Sequence, residues 1–221
     1  MTSPYASRPW LKHYDYWIRP HMTYPTRPLY EILSTTAAEM ADGHATQFLG
    51  AALTYRDLKV RTDRLASALR RLGVRKGDRV AIMLPNCPQY ILSAFAILRL
   101  GAVVVNVNPL YTARELQNVA TDSGATVLIT LDRLAPLAIE IRATSAIAHI
   151  IVTSLAEYSA EAAPPPQIPN TLSLAELLDT AGGGALPLVK IGPDDLAVLQ
   201  YTGGSTGTPK GAMLSHGNIF A

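Results

Sequence analysis

Between Tyr201 and Gly211 the chain reads YTGGSTGTPKG: glycines at 203, 204, 207 and 211, hydroxyls on Tyr201, Thr202, Ser205, Thr206 and Thr208, and an ammonium on Lys210. That set suits a phosphate. Glycine has no Cβ, so Gly203, Gly204 and Gly207 can turn sharply and bring backbone N–H groups against an anion. The hydroxyls add donors and Lys210 adds a counter-charge. Two better-known phosphate loops do not fit. The GxxxxGK[ST] loop needs glycine before its lysine and a hydroxyl after it, whereas Pro209 and Gly211 flank Lys210. The dinucleotide fingerprint GxGxxG fails as well, because the spacing here is GGxxG. A stretch rich in Gly, Ser and Thr is more often a flexible loop than a cradle. The embedded lysine and the apolar run before it shift the balance toward a ligand.

That run, Leu196 to Tyr201, predicts a buried strand, which sets the loop at a strand's carboxyl end, where open α/β sheets bind ligands. The elements that must hold it alternate from Leu53 onward. Tyr55 to Leu72 carries helical spacing through Leu58, Leu65, Ala68, Leu69 and Leu72, with Gly73 as its stop. Strands are expected at Val80–Leu84, Val103–Val107, Val127–Thr130 and Ile150–Val152. Helices are expected at Gln89–Leu100, Thr112–Asp122 with Thr112 as N-cap, and near Leu172–Leu178, with a further helix beginning at His216. Such β-α alternation predicts an α/β fold, a doubly wound and mostly parallel sheet flanked by helices. Ala162–Pro169 and Gly182–Gly184 read as surface linkers inside one domain, since the strand at Leu196 needs the earlier sheet to pair with.

With 221 residues, 48% apolar, the chain can bury a sizeable core. A net charge of +2 with interleaved signs, as in Arg75 to Arg79, excludes a basic stripe for nucleic acid. Cys87 is the single cysteine; it suits a reducing compartment and reads as a small buried hydrophobe. His13, His21, His44, His149 and His216 fall at no zinc-site spacing, so no metal is expected on protein side chains. Residues 1–29 form an aromatic and proline-rich arm, without the apolar core of a secretory signal. Its Trp and Tyr would suit an interfacial anchor and a peripheral membrane contact. Pro4, Pro9, Pro20, Pro25 and Pro28 favour instead an extended arm laid on its own domain. Tyr90 to Val107 is interrupted by Arg99, Gly101 and Asn106, too short and broken to span a bilayer.

Tyr201–Gly211 followed by Ala-Met-Leu-Ser-His resembles the phosphate-binding signature of the adenylate-forming synthetases: acyl-CoA synthetases, luciferases and adenylation domains. The YTGG opening is similar to the bacterial long-chain fatty acid–CoA ligase branch. Val105–Leu116, Leu53–Leu58 and Gly77–Asn86 resemble further landmarks of that branch, and the likeness runs from about Tyr30 to the end, weakest over Ala156–Ala185.

The resemblance implies that residues 30–221 are part of an AMP-binding large domain and that the chain is an amino-terminal piece, inactive by itself. The acyl and adenine pockets, the magnesium ligand and the small carboxyl-terminal domain would follow Ala221. It implies ATP, Mg2+ and coenzyme A as partners of a complete cytoplasmic enzyme that makes acyl-CoA through an acyl-adenylate. Lys210 is then the candidate catalytic residue, stabilising phosphate charge. Thr202, Gly203, Gly204, Ser205, Thr206, Gly207 and Thr208 are the candidate nucleotide-binding residues. Tyr201 is expected to pack at the strand end, and His216 to be a surface or helix-start residue with no role as a base. A synthetase for a medium-chain, aryl or carrier-bound acid, or a nucleotide-binding piece without chemistry, stays open.

Overall fold

The computed structural model describes residues 7–20, 22, 24–182, 186–202 and 210–221. Helix α1 (Tyr30–Glu39) leads into an antiparallel hairpin of β1 (His44–Phe48) and β2 (Ala51–Thr54). Strands and helices then alternate through α2 (Tyr55–Arg71), β3 (Arg79–Met83), α3 (Pro88–Arg99), β4 (Val103–Asn106), α4 (Ala113–Ser123) and β5 (Val127–Leu131). After these come α5 (Ala135–Arg142), β6 (His149–Thr153), β7 (Leu172–Ser173), α6 (Leu174–Thr180), β8 (Leu196–Thr202), β9 (Lys210–Ser215) and α7 (His216–Phe220).

Strands β3 to β9 make one sheet in the order β7-β6-β5-β3-β4-β8-β9, parallel except for the final pair β8–β9. The chain steps from β3 to β4 in one direction, then returns past β3 to lay down β5. Helices serving the two directions cover opposite faces. Val80, Ile82, Val104, Val127 and Ile129 join the core under α1, α2, α3 and α6. Ala81, Met83, Val105, Leu128 and Ile150, one residue out of phase, join the core under α4 and α5. Because successive side chains alternate faces and both faces are covered, these strands must be apolar at every position. Val103-Val-Val meets that demand, and the fully buried Val127–Leu131 meets it except at Thr130, whose hydroxyl donates to the Met83 carbonyl.

Local signals set the helix ends. Thr54 caps α2 through a reciprocal pair with Asp57, and Thr112 caps α4 through the same arrangement with Glu115. Helix α2 stops where Gly73 takes φ +100, with Gly73 N–H donating to Arg70 and Val74 N–H to Leu69. Those two bonds satisfy carbonyls of the last turn, and the left-handed backbone between them is cheap only for glycine.

Several expectations change in detail. Strand β8 has one parallel neighbour, β4, while its other neighbour is the antiparallel β9, which sequence periodicity did not indicate. β9 is an edge strand buried on neither face, and its short apolar run Ala212-Met-Leu214 leaves Met213 exposed. The segment near Leu172 opens as the edge strand β7 before Ser173 caps α6. His216 begins a helix as expected, but its side chain is buried, not on the surface. Among the described aromatic residues up to Tyr30, Tyr16 and Trp17 are the most exposed, Trp10, Tyr14 and Tyr24 are partly covered, and Tyr30 is buried, with the Arg99 guanidinium 4.7 Å above its ring.

Candidate functional site

The register of β8 on β9 puts Thr202 opposite Lys210 and Tyr201 opposite Gly211. In an antiparallel ladder such partners have Cα atoms roughly 5 Å apart, so both ends of the glycine-rich segment are clamped together at the carboxyl end of β8. Thr202 and Lys210 are exposed there. Gly203, Gly204, Ser205, Thr206, Gly207 and Thr208 lie outside the described residues.

Beneath this hairpin the Tyr201 ring is buried, and its hydroxyl donates to Asp122 Oδ2 at 2.5 Å, tying β8 to the last turn of α4. Burial first, and the acceptor Asp122 second, push the Tyr201 phenol well above its ordinary value, so it stays a neutral donor. Gly211 makes this possible: a Cβ at that position would sit 3.1 Å from Tyr201 Cζ. A glycine on β9 leaves room for the ring of its cross-strand partner.

A cavity of about 370 Å3 opens beside Tyr201. It is lined by Leu84 and Asn86 beyond β3, Asn106, Asn108 and Tyr111 at and beyond the end of β4, and Gln200 of β8. It therefore occupies the crevice outside the carboxyl ends of the strands, where the winding reverses between β3 and β4. Ligands bind at that point of a doubly wound sheet. A polar chain runs across its wall: Tyr90 Oη donates to Asn106 Oδ1 at 2.7 Å, Asn106 Nδ2 to Gln200 Oε1 at 2.6 Å, and Gln200 Nε2 to the Tyr201 carbonyl at 3.4 Å. Each donor fixes the orientation of the next acceptor, and bonds in such a series strengthen one another. Burial raises the Tyr90 phenol, against the opposing effect of its bond to Asn106, which keeps it a donor.

Sequence reasoning singled out the loop and missed Tyr90, Asn106, Asp122 and Gln200. Two of them had a signal. Asn106 and Gln200 interrupt apolar strand runs at their carboxyl ends, where a side chain reaches the ligand crevice. Asp122, exposed at the end of a helix, had none.

A second cavity, of about 460 Å3, adjoins the first through Asn86 and Tyr90 and is lined by Ala45–Phe48 of β1 and the first turn of α3. Cys87 lies on its wall, free and buried, with burial pushing its thiol upward. It packs as a small apolar side chain. His216 stands at the other end of β8, since its neighbour Ser215 pairs with Leu196, roughly 20 Å of strand away from the loop. No group of three or more His, Cys, Asp or Glu among the described residues is arranged to hold a metal ion.

Sheet order and the crevice at the switch point define a doubly wound α/β domain. The chain belongs to the AMP-binding enzyme family, whose model matches residues 33–221. It is 38% identical to the long-chain-fatty-acid–CoA ligase of Bacillus subtilis (strain 168), an alignment covering 98% of this chain and 41% of that protein. Feruloyl-CoA synthase of an Amycolatopsis species is 40% identical, over 77% of this chain and 30% of the relative. Among solved structures, the anthranilate CoA ligase AuaEII in complex with anthranoyl-AMP superposes with a TM-score of 0.77 at 26% identity, over 86% of this chain and 35% of that one. The chain thus spans about two fifths or less of the proteins it matches.

Proposed function

We propose that the chain is the amino-terminal part of an AMP-forming acid–thiol ligase, acting on a long-chain fatty acid. In the complete enzyme the carboxylate oxygen bonds to the α-phosphorus of ATP and the bond to pyrophosphate breaks. The thiol sulfur of coenzyme A then bonds to the acyl carbon, the bond to AMP breaks, and the thiol proton is released. One observation carries the reading: Thr202 and Lys210 stand opposite each other at the carboxyl end of β8, beside the switch-point cavity.

In this reading Lys210 balances charge as pyrophosphate departs, the Thr202 hydroxyl donates to a phosphate oxygen, and residues 203–208 supply backbone and hydroxyl donors. Donors already in place cost no reorganisation when the charge develops, which is how they lower the barrier. Magnesium enters with the ATP; the described residues supply no ligand cluster for it, and no step is assigned to a protein-held ion. The free, buried Cys87 supports a reducing, cytoplasmic setting. The feruloyl-CoA synthase likeness, at 40% identity, favours a second reading in which the acid is aromatic.

Lys210→Ala in the complete ligase tests the site. Single-turnover formation of acyl-adenylate should slow by about 10²-fold, while fatty acid binding changes little. Unchanged adenylation would remove the loop from the chemistry. Comparing palmitate with ferulate as the acid in the same assay separates the two readings.

A further inference from the structure

Nearly half of the large hydrophobic side chains exposed on the described surface fall within Trp10–Tyr24, among them Tyr14, Tyr16, Trp17, Ile18, Met22 and Tyr24. Tyr16 is 95% exposed and Trp17 66%, and their rings meet edge to face at 4.8 Å and 81°. Charge is concentrated in the same place. Residues 7–29 hold four cations, Arg8, Lys12, Arg19 and Arg27, against one carboxylate, Asp15, so the arm is more positive than the whole chain at +2. Its base is fixed: Arg27 Nη1 donates to Thr35 Oγ1 at 3.3 Å, and the Leu29 N–H donates to His216 Nδ1 at 3.1 Å.

We propose that the described residues Trp10, Tyr14, Tyr16, Trp17, Met22 and Tyr24 dock the protein on an anionic bilayer surface, with the Trp and Tyr rings at headgroup depth and Lys12 and Arg19 against lipid phosphates. The chemistry on the page favours lipid over protein. Trp and Tyr are amphipathic and concentrate where an apolar interior meets polar headgroups. Cations near an anionic surface each strengthen attachment roughly fivefold. Beyond the 3-10 turn at Pro9–His13 the described residues of the arm form neither a helical stripe nor a strand edge for a partner protein to read. No described helix is long and apolar enough to cross a membrane, so the contact lies on the bilayer and does not traverse it. This inference is independent of the ligase reading.

The chain carries its own probe, because both of its tryptophans, Trp10 and Trp17, are in the arm. Intrinsic fluorescence of the full 221-residue chain is titrated with phosphatidylcholine vesicles and with phosphatidylcholine–phosphatidylglycerol vesicles. Emission should shift to the blue only with the anionic vesicles and be quenched by brominated acyl chains. A Lys12→Glu, Arg19→Glu variant should bind at least about tenfold more weakly. Tyr16→Ser, Trp17→Ser should lose binding with an unchanged melting temperature, since neither ring packs on the body. Equal response to neutral vesicles, undiminished binding by both variants, or emission already blue without lipid and dependent on protein concentration would overturn the proposal; the last outcome would assign the arm to a contact between copies.

Discussion

Tyr201 shows how a side chain that need not touch ligand can control a loop. Two features hold the hydroxyl end of its ring: the bond to Asp122, and the space beside Cζ and Cε2 left by the absence of a side chain at Gly211. The two restraints differ in strength. Asp122 is exposed, so water can replace the phenol, and Tyr201→Phe should cost only about 1 kcal/mol. In Gly211→Ala the new methyl lies 3.1 Å from Cζ and 3.3 Å from Cε2. The ring must move or the hairpin must open, and overpacking of this kind costs about 1–3 kcal/mol. Urea midpoints of the two variants should fall in that order. A Gly211→Ala midpoint equal to wild type would show that the ring does not depend on the space left at Gly211.

At the scale of elements, the cavity depends on where α4 begins. Thr112 Oγ1 accepts from the Glu115 N–H at 3.4 Å, and Glu115 Oε2 accepts from the Thr112 N–H at 2.8 Å, so two amide donors of the first turn are satisfied at the mouth of the crevice. Donation from the Thr112 N–H, and second from the Thr112 hydroxyl, holds the Glu115 carboxyl below its ordinary value. Thr112→Ala should cost about 1 kcal/mol of stability, measured by urea unfolding at pH 7. This cap was legible in the sequence, because Thr-x-x-Glu ahead of a periodic run has a local physical meaning. So were the interior strands, whose two covered faces demand unbroken Val and Ile. The strands β1, β2, β7 and β9 were not legible. Each is short or half-exposed, its partners lie on one side, and alternation of two or three residues carries no periodic signal. The strand Leu196–Thr202 was legible from its apolar run; the pairing of Thr202 with Lys210, and the polar chain through Asn106 and Gln200, required the sheet order.

For the whole molecule, His216 is the buried titratable group that links remote parts. Burial, with a smaller push from Lys76 and against the pull of Asp195, lowers its imidazole below 6.5, and its Nδ1 accepts from Leu29. An imidazole with a depressed folded-state value is protonated first in the unfolded chain. Unfolding therefore takes up a proton once the pH drops below about 6.5, and stability falls toward the lower folded value. One proton limits the slope to about 1.4 kcal/mol per pH unit. The melting temperature should decline between pH 7.5 and 5.5 in the wild type and stay flatter in His216→Gln, whose amide oxygen can still accept from Leu29. A parallel decline in both proteins would assign the acid sensitivity elsewhere.

That same bond joins residues 187 positions apart. At about 5–20 residues per second, a ribosome needs roughly 10 to 40 seconds between making Leu29 and making His216. For that interval the root of the arm has its local bond from Arg27 to Thr35 but lacks the long-range bond to His216. Nascent chains stalled before Ser215 has emerged should be cut by chymotrypsin after Tyr30, which is buried in the folded chain, and released chains should resist at that bond; equal cleavage would mean the root closes without His216.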